Sequence, residues 1–248
     1  MSLSPDPPAA SGKLRLAAIG DLHVAETHQH PYRELFSRIC QEADVLALCG
    51  DLTNFGKTPE AEILAEDLQA CSIPIVGVLG NHDYECGQPE EVARILHQAG
   101  MRLLEGEPAE INGVGFAGSK GFIGGFGRHM LSAFGEPEIK TFVQASIEEN
   151  LKLESSLRML KTERTVVVLH YAPVEDTVIG EPLEIFPFLG SARLGETIDR
   201  FDGVRCVVHG HAHRGAHTGK TARGKPVYNV AKPVLNRDLG VEFALIEV

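Results

Sequence analysis

The sequence contains no CxxC pair. Its five cysteines (Cys40, Cys49, Cys71, Cys86 and Cys206) are odd in number, and several lie in apolar runs. Free cysteine in such runs behaves as a small hydrophobe. A disulfide framework is therefore not expected, and a reducing compartment is. Basic residues are also few: 23 Lys and Arg stand against 34 Asp and Glu, a net charge of −11. An acidic surface repels a phosphate backbone, which argues against stable nucleic-acid binding but leaves room for a local cationic site made of metal ions. No run approaches the ~18 apolar residues that span a bilayer. The opening MSLSPDPPAASGK has no apolar stretch of signal-peptide length. Its Pro, Ser and Gly read as a disordered leader over 1–12. No repeat or linker divides the rest, so a single domain over 13–248 is expected, cytoplasmic and without a membrane span. With 43% hydrophobic residues, the chain can bury a sizeable core.

What the sequence does contain is a series of short apolar runs, each followed by polar residues. Residues 14–20 lead to Asp21, 44–50 to Asp51 and 73–80 to Asn81. Residues 165–170 end at His170, and 204–210 precede His211. Nearly continuous Val, Ile and Leu predicts strands buried on both faces. Helical spacing at 32–43, 59–71 and 89–100 lies between the first runs, giving a β-α-β-α-β-α opening with parallel strands. Later, 109–118 reads as a hairpin turning at Asn-Gly. Residues 119–137 read as a Gly-rich loop, 136–160 as one long helix or two, and 171–190 as a Pro-containing loop. The C-terminal segments GKPVYNVAKP and GVEFALIEV read as antiparallel strands.

The polar residues behind the strands form a chemical set: Asp21 and His23, Asp51, Asn81 with His82 and Asp83, His170, and His211 with His213. Alone, Gly-Asp after a strand is a turn with a helix-capping Asp, and a lone His at a strand end is a hydrogen-bonded core residue. Together they are different. The carboxyl ends of strands in an open α/β sheet converge on one crevice. Imidazoles, carboxylates and an amide oxygen are donors for Mn, Fe, Zn or Co. A carboxylate can also bridge two ions that activate water and clamp a phosphoryl group.

The blocks D-x-H, G-D, G-N-H-D, H and G-H-x-H, in this order over residues 21–213, resemble the calcineurin-like metallophosphoesterase superfamily. The resemblance implies an α/β fold: a four-layer α/β/β/α sandwich with two mixed β-sheets face to face. It implies two divalent ions per chain. Asp21, His23 and His213 would hold one, Asn81, His170 and His211 the other, and Asp51 would bridge them. It also implies in-line attack on phosphorus by a metal-bound hydroxide, with His82 beside the ions as the catalytic residue at the leaving oxygen.

Some positions depart from that pattern. Val24 follows D-x-H where many relatives have Gly. Asn54 and Phe55 stand where the Ser/Thr protein phosphatases carry an Asp and a phosphate-binding Arg, and Asp83 stands where they carry Glu. The expectation is therefore a phosphodiesterase on a small substrate. A phosphomonoesterase or nucleotide pyrophosphatase, a nuclease, and a non-catalytic scaffold of the same fold stay open. Asn54, together with Arg128 and His129 on the Gly-rich segment, are the candidate substrate contacts. Asp83 either orients a neighbour or is a plain turn residue, His209 is expected to be structural, and Phe186 and Phe188 to pack into the core or an interface.

Overall fold

The computed structural model describes residues 12–248, without the side chain of His129. The expected leader, Gly12 apart, lies outside the described residues. Strands β1 (Arg15–Ile19), β2 (Val45–Cys49), β3 (Ile75–Val78) and β4 (Met101–Leu103) run parallel in one sheet, with β11 (Ala244–Glu247) antiparallel at its edge. Helices α1 (Arg33–Glu42), α2 (Thr58–Leu68) and α3 (Pro89–Gln98) connect the parallel strands.

The second sheet has the order β5-β6-β7-β8-β10-β9. Its parallel centre is β6 (Val114–Ser119), β7 (Thr165–Leu169), β8 (Val204–His209) and β10 (Pro226–Asn229). The antiparallel edges are β5 (Ala109–Ile111) and β9 (Thr218–Lys220). The Asn-Gly hairpin forms as expected: Asn112 and Gly113 have φ 51° and 74°, the two left-handed residues of a tight primed turn. Residues 136–160 form one helix, α4 (Pro137–Met159). Three short helices complete the chain: α5 (Phe186–Leu189), α6 (Ala192–Ile198) and α7 (Lys232–Asp238).

Alternation along the strands explains the layers. In β7, Val166 and Val168 join the apolar cluster that includes β1–β3, between the sheets. Val167 and Leu169 join another, with Leu153 and Leu157 of α4 and Leu194 and Ile198 of α6. The central strand β7 thus buries one face against the other sheet and one against helices, which is why its sequence is apolar throughout.

The C-terminal expectation holds in part. β11 is antiparallel to β1 and β10 to β9, but β10 and β11 lie in different sheets, and β10 runs parallel to its other neighbour, β8. Alternation reports which face a strand buries, not the direction of its neighbour.

Candidate metal centre

Register brings the strand-end residues together. Ile19 pairs with Leu48 and Leu48 with Gly77, so Asp21, Asp51 and Asn81 leave one sheet edge side by side. Val168 pairs with Val208 in the other sheet, which places His170 beside the turn carrying His211 and His213. The sheets are joined at this edge by His170, whose Nδ1 lies 2.9 Å from the Cys49 carbonyl oxygen. The approach requires glycine: a Cβ on Gly50, itself at φ 80°, would lie 2.5 Å from that Nδ1.

The backbone is strained here. Six non-glycine residues have positive φ among those described, and four of them are Asp21 (59°), His23 (46°), Asp51 (49°) and His211 (71°). Such conformations cost on the order of 1–3 kcal/mol each and persist only where surroundings enforce them. The surroundings include hydrogen bonds from Asp21 N to Gly50 O (2.9 Å) and from His23 N to Asp51 O (3.0 Å).

Three overlapping donor groups result: Asp21, His23 and His213; Asp51, His170 and His211; and His23, Asp51 and His82, which links the first two, with the ligand atoms of each group within 4.8 Å of one another. Asp51 faces both of the first two: its Oδ1 lies 3.3 Å from His170 Nε2 and its Oδ2 lies 3.9 Å from His23 Nε2. Asn81 Oδ1 lies 2.9 Å from His170 Nε2.

Several of these atoms lack a proton between them or a partner. His170 Nδ1–H donates to Cys49, so its Nε2 carries a lone pair aimed at the Asn81 oxygen and the Asp51 carboxylate. His211 donates from Nε2 to the Phe188 carbonyl at 3.1 Å, which frees its Nδ1. His23 Nε2 is buried with no hydrogen-bond partner. Facing lone pairs and an orphaned imidazole nitrogen beside two buried carboxylates repel unless a cation lies among them, so the donor set fits divalent metal.

Electrostatics point the same way. Burial pushes His23 down to about 4 and His211 down to about 3, and holds His170 well below its ordinary value. These imidazoles are neutral, as metal ligands must be. His213 is raised by its hydrogen bond to Asp21, with Nε2 2.9 Å from Oδ1, and burial pushes Asp21 up to about 6. His209 differs: buried, its Nδ1 and Nε2 lie 2.8 Å from Gly210 O and Thr177 Oγ1 respectively, leaving no free nitrogen.

His82 projects over this cluster. Its backbone N–H donates to Asp51 Oδ1 at 2.8 Å, and its Nε2 lies 4.0 Å from Asp51 Oδ2. The ring is fixed by Nδ1–H donation to the Asn54 backbone carbonyl at 2.7 Å. Asn54, expected as a substrate contact, thus positions His82 through its main-chain carbonyl. Asp83 clamps the two loops together. Its Oδ1 accepts from Thr53 N (2.8 Å) and Thr53 Oγ1 (2.6 Å), and its Oδ2 from Gly80 N (2.8 Å) and Leu52 N (3.2 Å).

Of the remaining candidates, Arg128 lies exposed on a short 3₁₀ turn, and the His129 side chain falls outside the described residues. Phe186 packs against the buried cluster of Ala172, Val178, Leu189 and Ala212, whereas Phe188 is largely exposed. Sequence reasoning missed Lys120, Tyr84 and Tyr171, which line a cavity together with Asn81. The available signal was a lysine directly behind an apolar strand.

Residues 14–215 match the calcineurin-like phosphoesterase family. The chain belongs to that family. Among curated proteins, it is 29% identical over 104 residues to an "uncharacterized metallophosphoesterase" of Aquifex aeolicus, a match covering 40% of this chain and only 39% of that relative's length. It is 24% identical over 214 residues to a "probable cyclic nucleotide phosphodiesterase" of Moraxella catarrhalis, covering 82% of this chain and 72% of the relative. The fold matches that of phosphopantetheinyl hydrolase from Mycobacterium tuberculosis, with a TM-score of 0.68, 15% identity and coverage of 96% and 97% of the two chains. Among the described residues, no helix is long and apolar enough to cross a membrane.

Proposed function

We propose that this metallophosphoesterase hydrolyses small phosphodiesters at a centre of two divalent ions. Asp21, His23 and His213 hold one ion, Asn81, His170 and His211 the other, and Asp51 serves both. The observation carrying this reading is Asp51, whose two oxygens face the two donor groups. Mn, Fe, Zn or Co ions bound there supply Lewis acidity to the phosphoryl oxygens and an activated water. The chain's own residues do the rest. His82, with Nδ1–H committed to the Asn54 carbonyl, presents Nε2 towards the cluster, and in its imidazolium form the Nε2–H can protonate a leaving oxygen. The carbonyls of Cys49 and Phe188 fix the tautomers of His170 and His211.

The diester preference rests on charge. A monoester dianion needs more positive charge than a diester monoanion. The Gly-Asp loop supplies none: Asn54 and Phe55 occupy the positions after Thr53. The name of the Moraxella relative agrees with this reading. The test compares bis(nitrophenyl) phosphate and nitrophenyl phosphate with the same metal loaded. A higher kcat/KM for the diester is expected. A clear monoester preference, abolished by Arg128→Ala, would show that the Gly-rich loop provides the missing cation and would overturn the diester assignment.

A further inference from the structure

A cavity of about 290 Å³ opens beside the candidate metal centre, with Asn81, Tyr84, Lys120, Phe122, Glu149 and Tyr171 in its walls. A second, of about 470 Å³, adjoins it across Phe122 and Ala145. Aromatic rings form a continuous wall outward from the centre. Ring centroids are 4.4 Å apart from His211 to Tyr171, 5.8 Å from Tyr171 to Phe122, and 5.4 Å from Phe122 to Phe142.

Lys120 is the unusual member. It is only 8% exposed, and its Nζ stands 4.7 Å from the Phe122 ring centroid, 5.2 Å from Tyr84 and 5.3 Å from Tyr171. Its one hydrogen bond among the described residues goes to the Gly121 carbonyl at 3.0 Å. An ammonium has three protons, so two have no hydrogen-bond partner among the described residues, although the charges of Glu149 and Glu105 act on it. A buried ammonium is a poor choice for stability, since a methionine of similar shape avoids the desolvation cost.

The surrounding charges decide what ligand suits it. Lys152 pairs with Glu149 at 2.6 Å, and the charges of Glu149 and of the buried Glu105 both act on Lys120. There is no surplus positive charge for a second phosphate. The cavity suits a neutral, flat group that stacks on aromatic rings and offers an acceptor to an ammonium. Its volume of about 290 Å³ falls just below the roughly 300–1,000 Å³ typical of ligand pockets, room for one ring system.

We propose that this cavity holds the ring of a heteroaromatic phosphodiester, with Lys120 selecting a ring carbonyl. The inference rests on the phosphodiesterase reading: the phosphorus lies over the metal-binding residues while the ring lies against Tyr84 and Phe122. A ring carbonyl accepts from the ammonium, whereas an exocyclic amino group at the same place opposes donor to donor.

The test uses the full chain in two arms. In the first, manganese-loaded wild type and Lys120→Met are compared on guanosine and adenosine 3′,5′-cyclic monophosphates. Wild type should favour the guanosine ester by about tenfold or more in kcat/KM, as expected for a hydrogen bond to a charged group, and Lys120→Met should bring the ratio close to one. A wild-type ratio within twofold, or an unchanged ratio in Lys120→Met, would overturn the proposal. In the second arm, guanosine and adenosine, which carry no phosphate, are titrated calorimetrically into metal-free wild type and Tyr84→Leu. Guanosine should bind more tightly than adenosine, and Tyr84→Leu should weaken both. Equal or absent binding of the two nucleosides would count against the subsite even if Lys120→Met failed to fold. Selective guanosine binding without hydrolysis of either cyclic ester or of bis(nitrophenyl) phosphate would retain the subsite and remove the phosphodiesterase reading. Hydrolysis of simple diesters without nucleoside selectivity would do the reverse.

Discussion

Replacing Asp83 by alanine should unfold the site before it touches any metal-binding group. The carboxylate is fully buried and accepts from three backbone N–H groups, of Leu52, Thr53 and Gly80, and from the Thr53 hydroxyl. Burial pushes this carboxyl up to about 6, against the pull of the donors from Gly80 and Thr53. Truncation leaves four donors in a space closed to bulk water. At about 1 kcal/mol or more for each donor left unpaired, the loss is ~4 kcal/mol. For a chain of this size, that corresponds to a fall in Tm of ~8–16 °C. Asparagine should do little better, because its NH₂ must face donors on one side or the other. Melting should be followed in excess chelator, since bound metal would raise Tm and mask the difference. A second readout is metal affinity, because Asp51 and Asn81 sit in the two loops that Asp83 joins. A Tm fall below ~3 °C for Asp83→Ala, or an Asp83→Asn variant as stable as wild type, would refute this account of the clamp.

His82→Ala should keep its metal content and lose turnover by about a hundredfold or more, most of all for alkyl leaving groups; equal losses for nitrophenyl and alkyl esters would assign His82 to positioning rather than proton donation. Asn54→Ala should change kcat by less than about threefold, because the backbone carbonyl holds His82; a loss matching that of His82→Ala would restore a side-chain role. Glu105 should show in the pH dependence of stability. Burial raises its pKa above the unfolded value, so the folded state binds the proton more tightly and this group lowers stability as pH rises from the unfolded value through the raised one. The stability of Glu105→Gln relative to wild type should therefore rise as pH increases above the unfolded carboxyl value, as read by urea denaturation at several pH values, and a pH-independent difference would contradict it.

Much of the fold was legible because fully buried strands write themselves as apolar runs. β1, β2, β3, β7 and β8 are buried along nearly their whole length, and each ends where a polar block begins. The short strands β4 and β9 were not legible. β9 is three residues long and largely exposed, so neither length nor burial marks it. The direction of β10 was missed because pairing partners leave no trace in alternation. At the site, the residue types behind the strands were legible, and the structure brings all seven proposed metal-binding residues to one edge. The role of Asn54 was not, since it acts through its backbone carbonyl, and for Asp83 the sequence left orienting a neighbour and a plain turn both open, because its partners are backbone groups that the sequence does not specify. Lys120 was overlooked because a single lysine in a Gly-rich segment looks solvated; only packing shows it enclosed by Tyr84, Phe122 and Tyr171.

The central claim is that two ions, sharing Asp51, make this chain a phosphodiesterase. Metal-stripped protein should be titrated with Mn²⁺ while hydrolysis of bis(nitrophenyl) phosphate is followed. Activity should be absent without metal, rise until two equivalents are bound, and fail to recover in Asp51→Asn at the same metal concentration. Full activity at one equivalent, or in Asp51→Asn, would contradict the account.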